Sequence, residues 1–102
     1  MALTPTLASN FVLGYFRSIP HETRSSWEKM AADSRPSYAE FEKTTAEYDE
    51  MVPDTNPEVA AKDGGYLVIG KVTLTGGGQK TVRDYRALVT LVDGQPKIAL
   101  AD

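Results

Sequence analysis

The chain lacks several residue types on which whole classes of site depend. It contains no cysteine and a single histidine, His21. Without thiols neither a disulfide framework nor a thiolate metal site can form, and one histidine excludes a histidine pair or a histidine-based metal cluster. His21 follows Pro20 at the start of a helical segment, where a solvated side chain is the simplest interpretation. We therefore expect no metal site, no cofactor and no catalytic residue.

Positive charge and long apolar runs are also scarce. Eleven Lys and Arg face fourteen Asp and Glu, which gives a net charge of −3. Because no basic field is available for phosphates, we expect no nucleic-acid partner. No segment reaches the roughly eighteen apolar residues of a transmembrane helix, and the first residues do not resemble a signal peptide. We expect no membrane contact by this segment.

What remains is the composition of an ordinary globular domain. Of the 102 residues, 41% are apolar and 25% are charged, which is close to average usage. A chain of this length builds one hydrophobic core. The sequence predicts a single domain over residues 1–102, and its abrupt end after a strand-like segment favours excision from a longer protein.

The first half of the chain has helical periodicity. Apolar residues recur every three or four positions over residues 4–19, with Thr4 as N-cap and Pro20 as terminator. Gly14 inside this helix is expected to permit close packing. A short second helix is predicted over residues 21–32. A third begins at Ser37, which forms a capping box with Glu40, and ends before Pro53.

The second half has the composition of β-strands. Residues 66–75, 81–92 and 97–101 predict an antiparallel meander, and residues 58–62 a further short strand. Three consecutive glycines, residues 76–78, mark the first hairpin, and Asp93-Gly94 marks the second. Residues 53–57 have the composition of a turn. Helices followed by such a sheet predict an α+β fold.

Side-chain pairing across the first hairpin favours one strand register. It pairs Thr75 with Lys80, Lys71 with Asp84, Leu67 with Leu88, and Gly70 with Tyr85, whose ring can cover the glycine. A shift of one residue would set Lys71 against Arg83 and turn each side chain to the other face. The favoured register predicts a helix-facing set of Val68, Val72, Leu74, Tyr85, Ala87, Val89 and Leu91.

Three other features of the sequence are candidate binding sites, and each has a simpler interpretation. The acidic residues of the third helix lack the spacing of a calcium loop, so a solvated face is expected. The glycine run lacks the Lys-Ser/Thr pair and the following helix of a phosphate loop. Lys71, Arg83, Asp84 and Arg86 are explained most simply as exposed cross-strand residues.

Aromatic residues are the most informative feature of the sequence. Nine aromatic side chains more often fill a core than line a cavity, although Tyr and Trp carry polar tips that favour pockets and interfaces. If a pocket lies between helices and sheet, the candidate ligand-binding residues are Phe11, Tyr15, Trp27, Tyr38, Phe41 and Tyr85.

Four short motifs accompany this order of elements: Tyr15-Phe16, Trp27, residues 37–41 and residues 91–98. Together they resemble the nuclear transport factor 2-like superfamily. More narrowly, the chain is similar to extracytoplasmic domains of actinobacterial membrane-anchored proteins. The resemblance spans nearly the whole chain and implies a cone, in which a curved sheet wraps around the first helix and leaves a cavity at its open end.

Two classes of function follow from this resemblance. The first is a non-catalytic sensor or protein-interaction domain, extracytoplasmic or membrane-tethered by resemblance alone, with a cytoplasmic location left open. The alternative is a small-molecule-binding domain, or an isomerase-like enzyme, that takes a small apolar ligand in the cone with Tyr15 or Tyr85 as donor. A homodimer through the outer sheet face is a third interpretation, because Leu67, Ile69, Leu88 and Val92 give that face apolar area.

Overall fold

A computed structural model describes residues 2–101, so residues 1 and 102 of the predicted domain lie outside the described part. Three helices come first and five strands follow, which confirms the predicted α+β class. The helices are α1 (Pro5–Ser18), α2 (Thr23–Glu28) and α3 (Tyr38–Thr45). The strands are β1 (Glu50–Pro53), β2 (Glu58–Lys62), β3 (Gly65–Gly76), β4 (Gln79–Val92) and β5 (Gln95–Ala101).

Helix α1 is the central helix and begins and ends as its sequence predicts. The Thr4 hydroxyl accepts a hydrogen bond from the Leu7 amide at 3.1 Å, and Pro5 occupies the first turn. The helix ends at Ser18, before Pro20. Its buried face consists of Ala8, Val12, Leu13, Tyr15 and Phe16. The expectation for Gly14 is wrong, because a Cβ at this position would have no neighbour within 4 Å.

Helix α2 is shorter than the predicted residues 21–32. Beyond Glu28 the backbone leaves the helix and pairs with the last strand instead. The Ala31 amide donates to the Ile98 carbonyl at 2.8 Å, and the Ile98 amide donates to the Lys29 carbonyl at 2.9 Å. These tertiary hydrogen bonds replace the last helical turn, which the local pattern alone cannot show.

Helix α3 begins where its cap predicts. The Ser37 hydroxyl accepts from the Glu40 amide at 3.2 Å, and Phe41 is buried. The helix ends at Thr45, so Tyr48 lies in the following turn rather than on the helix. The next residues form strand β1, whereas the sequence predicted no strand before residue 58.

The five strands form one antiparallel sheet. Strands β3, β4 and β5 make the predicted meander, and β1 and β2 both pair with β3. Pro53 pairs with Val72 and Glu58 pairs with Ile69. The four residues 54–57 therefore lie opposite only two residues of β3. They form a bulge that separates the short strands β1 and β2.

The register between β3 and β4 is the predicted one. Lys71 pairs with Asp84, Leu67 with Leu88, and Gly70 with Tyr85. The inner face carries the predicted apolar side chains, which are buried except for Leu91. That residue is 37% exposed, because it lies near the end of β4.

The sheet curls into a half-barrel, and the three helices pack against its concave face. Apolar side chains of α1 meet those of the sheet in one core, to which Met30, Phe41 and Met51 also belong. The cone-like shape thus follows from a long twisted hairpin, β3–β4, that wraps around α1.

Candidate functional site

A cavity of about 580 Å³ lies between the C-terminal half of α1, helix α3 and the inner face of the sheet. Its walls are mostly apolar and come from distant parts of the chain. Among the wall residues are Tyr15, Phe16, Ile19, Phe41, Leu74 and Tyr85. This volume lies within the range of about 300–1,000 Å³ found for small-molecule pockets.

The aromatic rings of the wall are held by contacts with one another. The Tyr15 and Phe16 rings meet edge to face with centroids 5.1 Å apart, and the Phe16 and Tyr85 rings are 4.7 Å apart. Such pairs are favourable beyond the area that they bury. The wall is therefore pre-formed, which lowers the cost of ordering side chains when a ligand binds.

Tyr15 is the most deeply buried of these rings. It is 1% exposed, and burial raises the pKa of its phenol well above the usual value. The neutral phenol is therefore the form that the fold requires. Tyr15 therefore lines the wall as a neutral phenol and does not ionise near neutral pH.

The Tyr85 hydroxyl faces the interrupted edge of the sheet. It lies over Gly70, near Pro57, and neither residue lines the cavity. The oxygen is buried without a hydrogen-bond partner among residues 2–101. Burial, and secondarily the charge of Asp54, raise the pKa of Tyr85. The ring of Tyr85 thus lines the cavity while its hydroxyl does not.

The rim of the cavity is polar. Thr44 and Thr45 of α3 lie on one side, and both hydroxyls donate to the Phe41 carbonyl, at 3.1 and 2.8 Å. Arg83 of β4 lies on the other side. Since the threonine hydroxyl protons are engaged with the backbone, the cationic donors at the cavity are those of Arg83 and Arg86, and of these two Arg83 lies on the inner face of β4 with Tyr85.

The structure brings together three of the six predicted ligand-binding residues. Tyr15, Phe41 and Tyr85 line the cavity. Phe11 lies elsewhere on α1, in a shallow apolar hollow of about 260 Å³ with Leu7 and Pro96. Helical spacing placed Phe11 on the same face as Tyr15, but the cavity occupies only the C-terminal half of the helix.

Trp27 and Tyr38 belong to a separate surface cluster, the α2–α3 aromatic cluster, which also contains Arg24 and Arg35. The two aromatic rings meet edge to face at 5.5 Å. The Arg35 guanidinium stacks on the indole at 3.7 Å, and Arg24 lies 4.9 Å from the Tyr38 ring. The Trp27 indole donates to the Pro36 carbonyl at 2.8 Å. These contacts hold the α2–α3 connection in place.

Arg83 is one of the cavity-lining residues that the sequence analysis did not predict. It was interpreted as part of an exposed polar cluster with Lys71, Asp84 and Arg86. The observed pairing of Arg83 with Val72 puts it on the inner face with Tyr85. The predicted register already contained this signal, because positions 83 and 85 alternate with the outward-facing Asp84.

Comparisons with other proteins identify no relative. No family model, curated protein or solved structure matches the chain. Within residues 2–101, no group of three or more His, Asp or Glu is arranged to hold a metal ion. None of the helices in this part of the chain is long and apolar enough to cross a membrane.

Proposed function

We propose that this chain is a non-catalytic sensor domain of the nuclear transport factor 2-like type, which binds a small, mostly apolar molecule in the cavity between α1, α3 and the sheet. The observation that carries the proposal is the cavity itself. It is of ligand size, it is walled by interlocked aromatic rings, and it lies between the helices and the concave face of the sheet.

Binding without catalysis fits the groups around the cavity. Asp84 lines it, but its carboxylate lies 3.7 Å from Lys71 in an exposed ion pair, on the opposite face of the sheet from Tyr85. The Tyr85 hydroxyl faces Gly70, and Tyr15 is only 1% exposed. An isomerase-like enzyme, the alternative function, would need one of these hydroxyls to reach the ligand, and this arrangement does not favour it.

The resemblance also supports a proposal for location. The narrower similarity is to domains that lie outside the cytoplasmic membrane in actinobacterial membrane-anchored proteins. We therefore propose an extracytoplasmic or membrane-tethered position, with the cytoplasm as the alternative. The complete gene tests this proposal: it should encode a transmembrane or lipoprotein segment, and a gene without either would contradict the location while leaving the cavity's function intact.

Titration with the neutral fluorescent probe N-phenyl-1-naphthylamine tests ligand binding. The wild-type chain should bind it with micromolar affinity and enhance its fluorescence. Thr44→Trp places an indole at the rim and should weaken binding about tenfold, a loss of roughly 1.4 kcal/mol. Lys43→Trp is the control, because this neighbouring exposed residue is not among those that line the cavity. Equal weakening by both variants, or no binding at all, would contradict the proposal.

A protein-interaction role remains a second proposal, and the outer sheet face is the observation that favours it. Leu67 and Leu88 pair on this face, and Ala99 continues their row on β5. Apolar side chains that cross several strands in a row are typical of an interface. The partner proposed for this face is a second copy of the chain.

A further inference from the structure

Arg83 places a positive charge at the cavity rim, and this charge has no role in binding an apolar molecule. The residue lies on the inner face of β4, opposite Val72, and its neighbours on that face are apolar residues such as Leu74 and Tyr85. Its side chain is exposed and lines the cavity rim. Arg83 thus places a positive charge at the polar rim of a pocket whose inner wall is apolar.

The Arg83 guanidinium makes no ion pair with any residue that the structure describes. Among residues 2–101 the ion pairs are Arg24 with Glu28 and Lys71 with Asp84. The nearby carboxylate of Asp84 is therefore engaged with Lys71 across the outer face. Glu47 lies beyond Arg83, in an adjoining hollow of about 370 Å³, and makes no ion pair with it. Arg83 is therefore near two carboxylates, Glu47 and Asp84, but its guanidinium forms an ion pair with neither.

Resting on the proposed ligand-binding function, we infer that the ligand is a carboxylic acid with an apolar body. The body lies against the aromatic wall, and the carboxylate accepts hydrogen bonds from Arg83 at the rim. A guanidinium offers a planar pair of donors that matches a carboxylate, and such charge-assisted pairs are stronger than neutral hydrogen bonds.

Alternation along the strand supports this assignment. Helix-covered positions of the inner face carry Val68, Ala87 and Val89, all of which are buried. Arg83 is on the same face of the sheet as these residues. It lies, however, where α1 no longer covers the sheet and the cavity opens. A body bound deep in the cavity can therefore extend its head group to Arg83 without burying an unpaired charge.

Calorimetric titration with decanoate and with decanol tests the inference, because the two probes differ only in the head group. Decanoate should bind about five to ten times more tightly than decanol, a modest gain because Arg83 is exposed to solvent. Arg83→Gln should remove this preference and leave decanol affinity within about twofold. Arg17→Gln, which removes an equal charge from an exposed position of α1, should keep the preference.

The possible results distinguish a failure of the inference from a failure of the proposed ligand-binding function. If decanol binds as tightly as decanoate, the inference is overturned while the ligand-binding function stands. If Arg17→Gln reduces the preference as much as Arg83→Gln, general charge attraction explains it and the inference is again overturned. If neither probe binds, and N-phenyl-1-naphthylamine also fails to bind, the proposed function falls first.

Discussion

Position 70 requires a glycine, because the side chain of Tyr85 on the paired strand occupies the space where a side chain at position 70 would lie. The Tyr85 ring lies over it, so a Cβ at this position would stand 2.9 Å from the Tyr85 hydroxyl and 3.1 Å from Pro57. Gly70→Ala should therefore destabilise the fold by about 1–3 kcal/mol, as expected for overpacking. Urea unfolding followed by circular dichroism measures the change.

Gly14 is the matched control, because it lies in α1 with open space where its Cβ would be. Gly14→Ala should stabilise the protein by about 0.5–1 kcal/mol, since alanine is the better helix former and restricts the unfolded chain. Equal effects of the two substitutions would show that neither environment is as described.

Because of Tyr15, the stability of the fold decreases at alkaline pH. Its pKa is raised by burial, so the folded protein keeps a proton that the unfolded chain loses near pH 10. Stability from this residue is complete below about pH 10 and falls above it, by up to about 1.4 kcal/mol per pH unit. Tyr15→Phe should flatten the fall in urea-unfolding free energy between about pH 9 and pH 11; identical slopes in both proteins would contradict this.

At the scale of elements, Ser26 joins α2 to α1. It is fully buried, its hydroxyl lies 2.5 Å from the Ser18 hydroxyl, and it donates to the Tyr15 carbonyl at 3.2 Å. Ser26→Ala should cost about 1 kcal/mol through this lost network. Ser25→Ala is the control, because it alters the same helix by the same propensity at an exposed position. Thermal unfolding should separate the two variants, and coinciding melting temperatures would rule out the network.

The sequence predicted those elements whose signals are local. Thr4 and Ser37 placed the helix starts, and the pairing of Gly70 with Tyr85 placed the register. It did not predict β1, because Glu50–Pro53 has neither alternation nor β-branched composition beyond Val52 and is held by pairing with β3. The early end of α2 was missed for the same reason, since hydrogen bonds to Ile98 decide it.

The site was predictable to the same degree. Residues near the open end of the cone, Tyr15, Phe41 and Tyr85, were found from their aromatic character. Trp27 and Tyr38 were placed in the pocket for that character alone, although the cluster that they form with arginines lies on the surface. Single-sequence reasoning recognises which side chains are suited to a pocket, but the curl of the sheet decides which of them reach it.

The apolar outer face of the sheet predicts that two copies of the molecule associate as a dimer. Leu67 is nearly buried within the chain itself, at 8% exposed, but Leu88 beside it is half-buried and Val92 on the same face is 45% exposed. If this face joins two copies, the wild-type chain should sediment as a dimer, and Leu88→Lys should sediment as a monomer because a charge would be buried in the interface. Thr81→Lys, on the inner face of the same strand, should remain dimeric. A wild-type monomer at high concentration would contradict the proposed dimer.

The interrupted edge of the sheet has a consequence for how the protein behaves when concentrated. Unbroken edge strands offer a template on which other chains can add, which leads to aggregation. Here residues 54–57, with Pro53 and Pro57 at either end, divide one edge into two short segments, and the backbone at Lys29 and Ala31 covers part of the other. Both borders of the half-barrel therefore resist the growth of amyloid-like stacks.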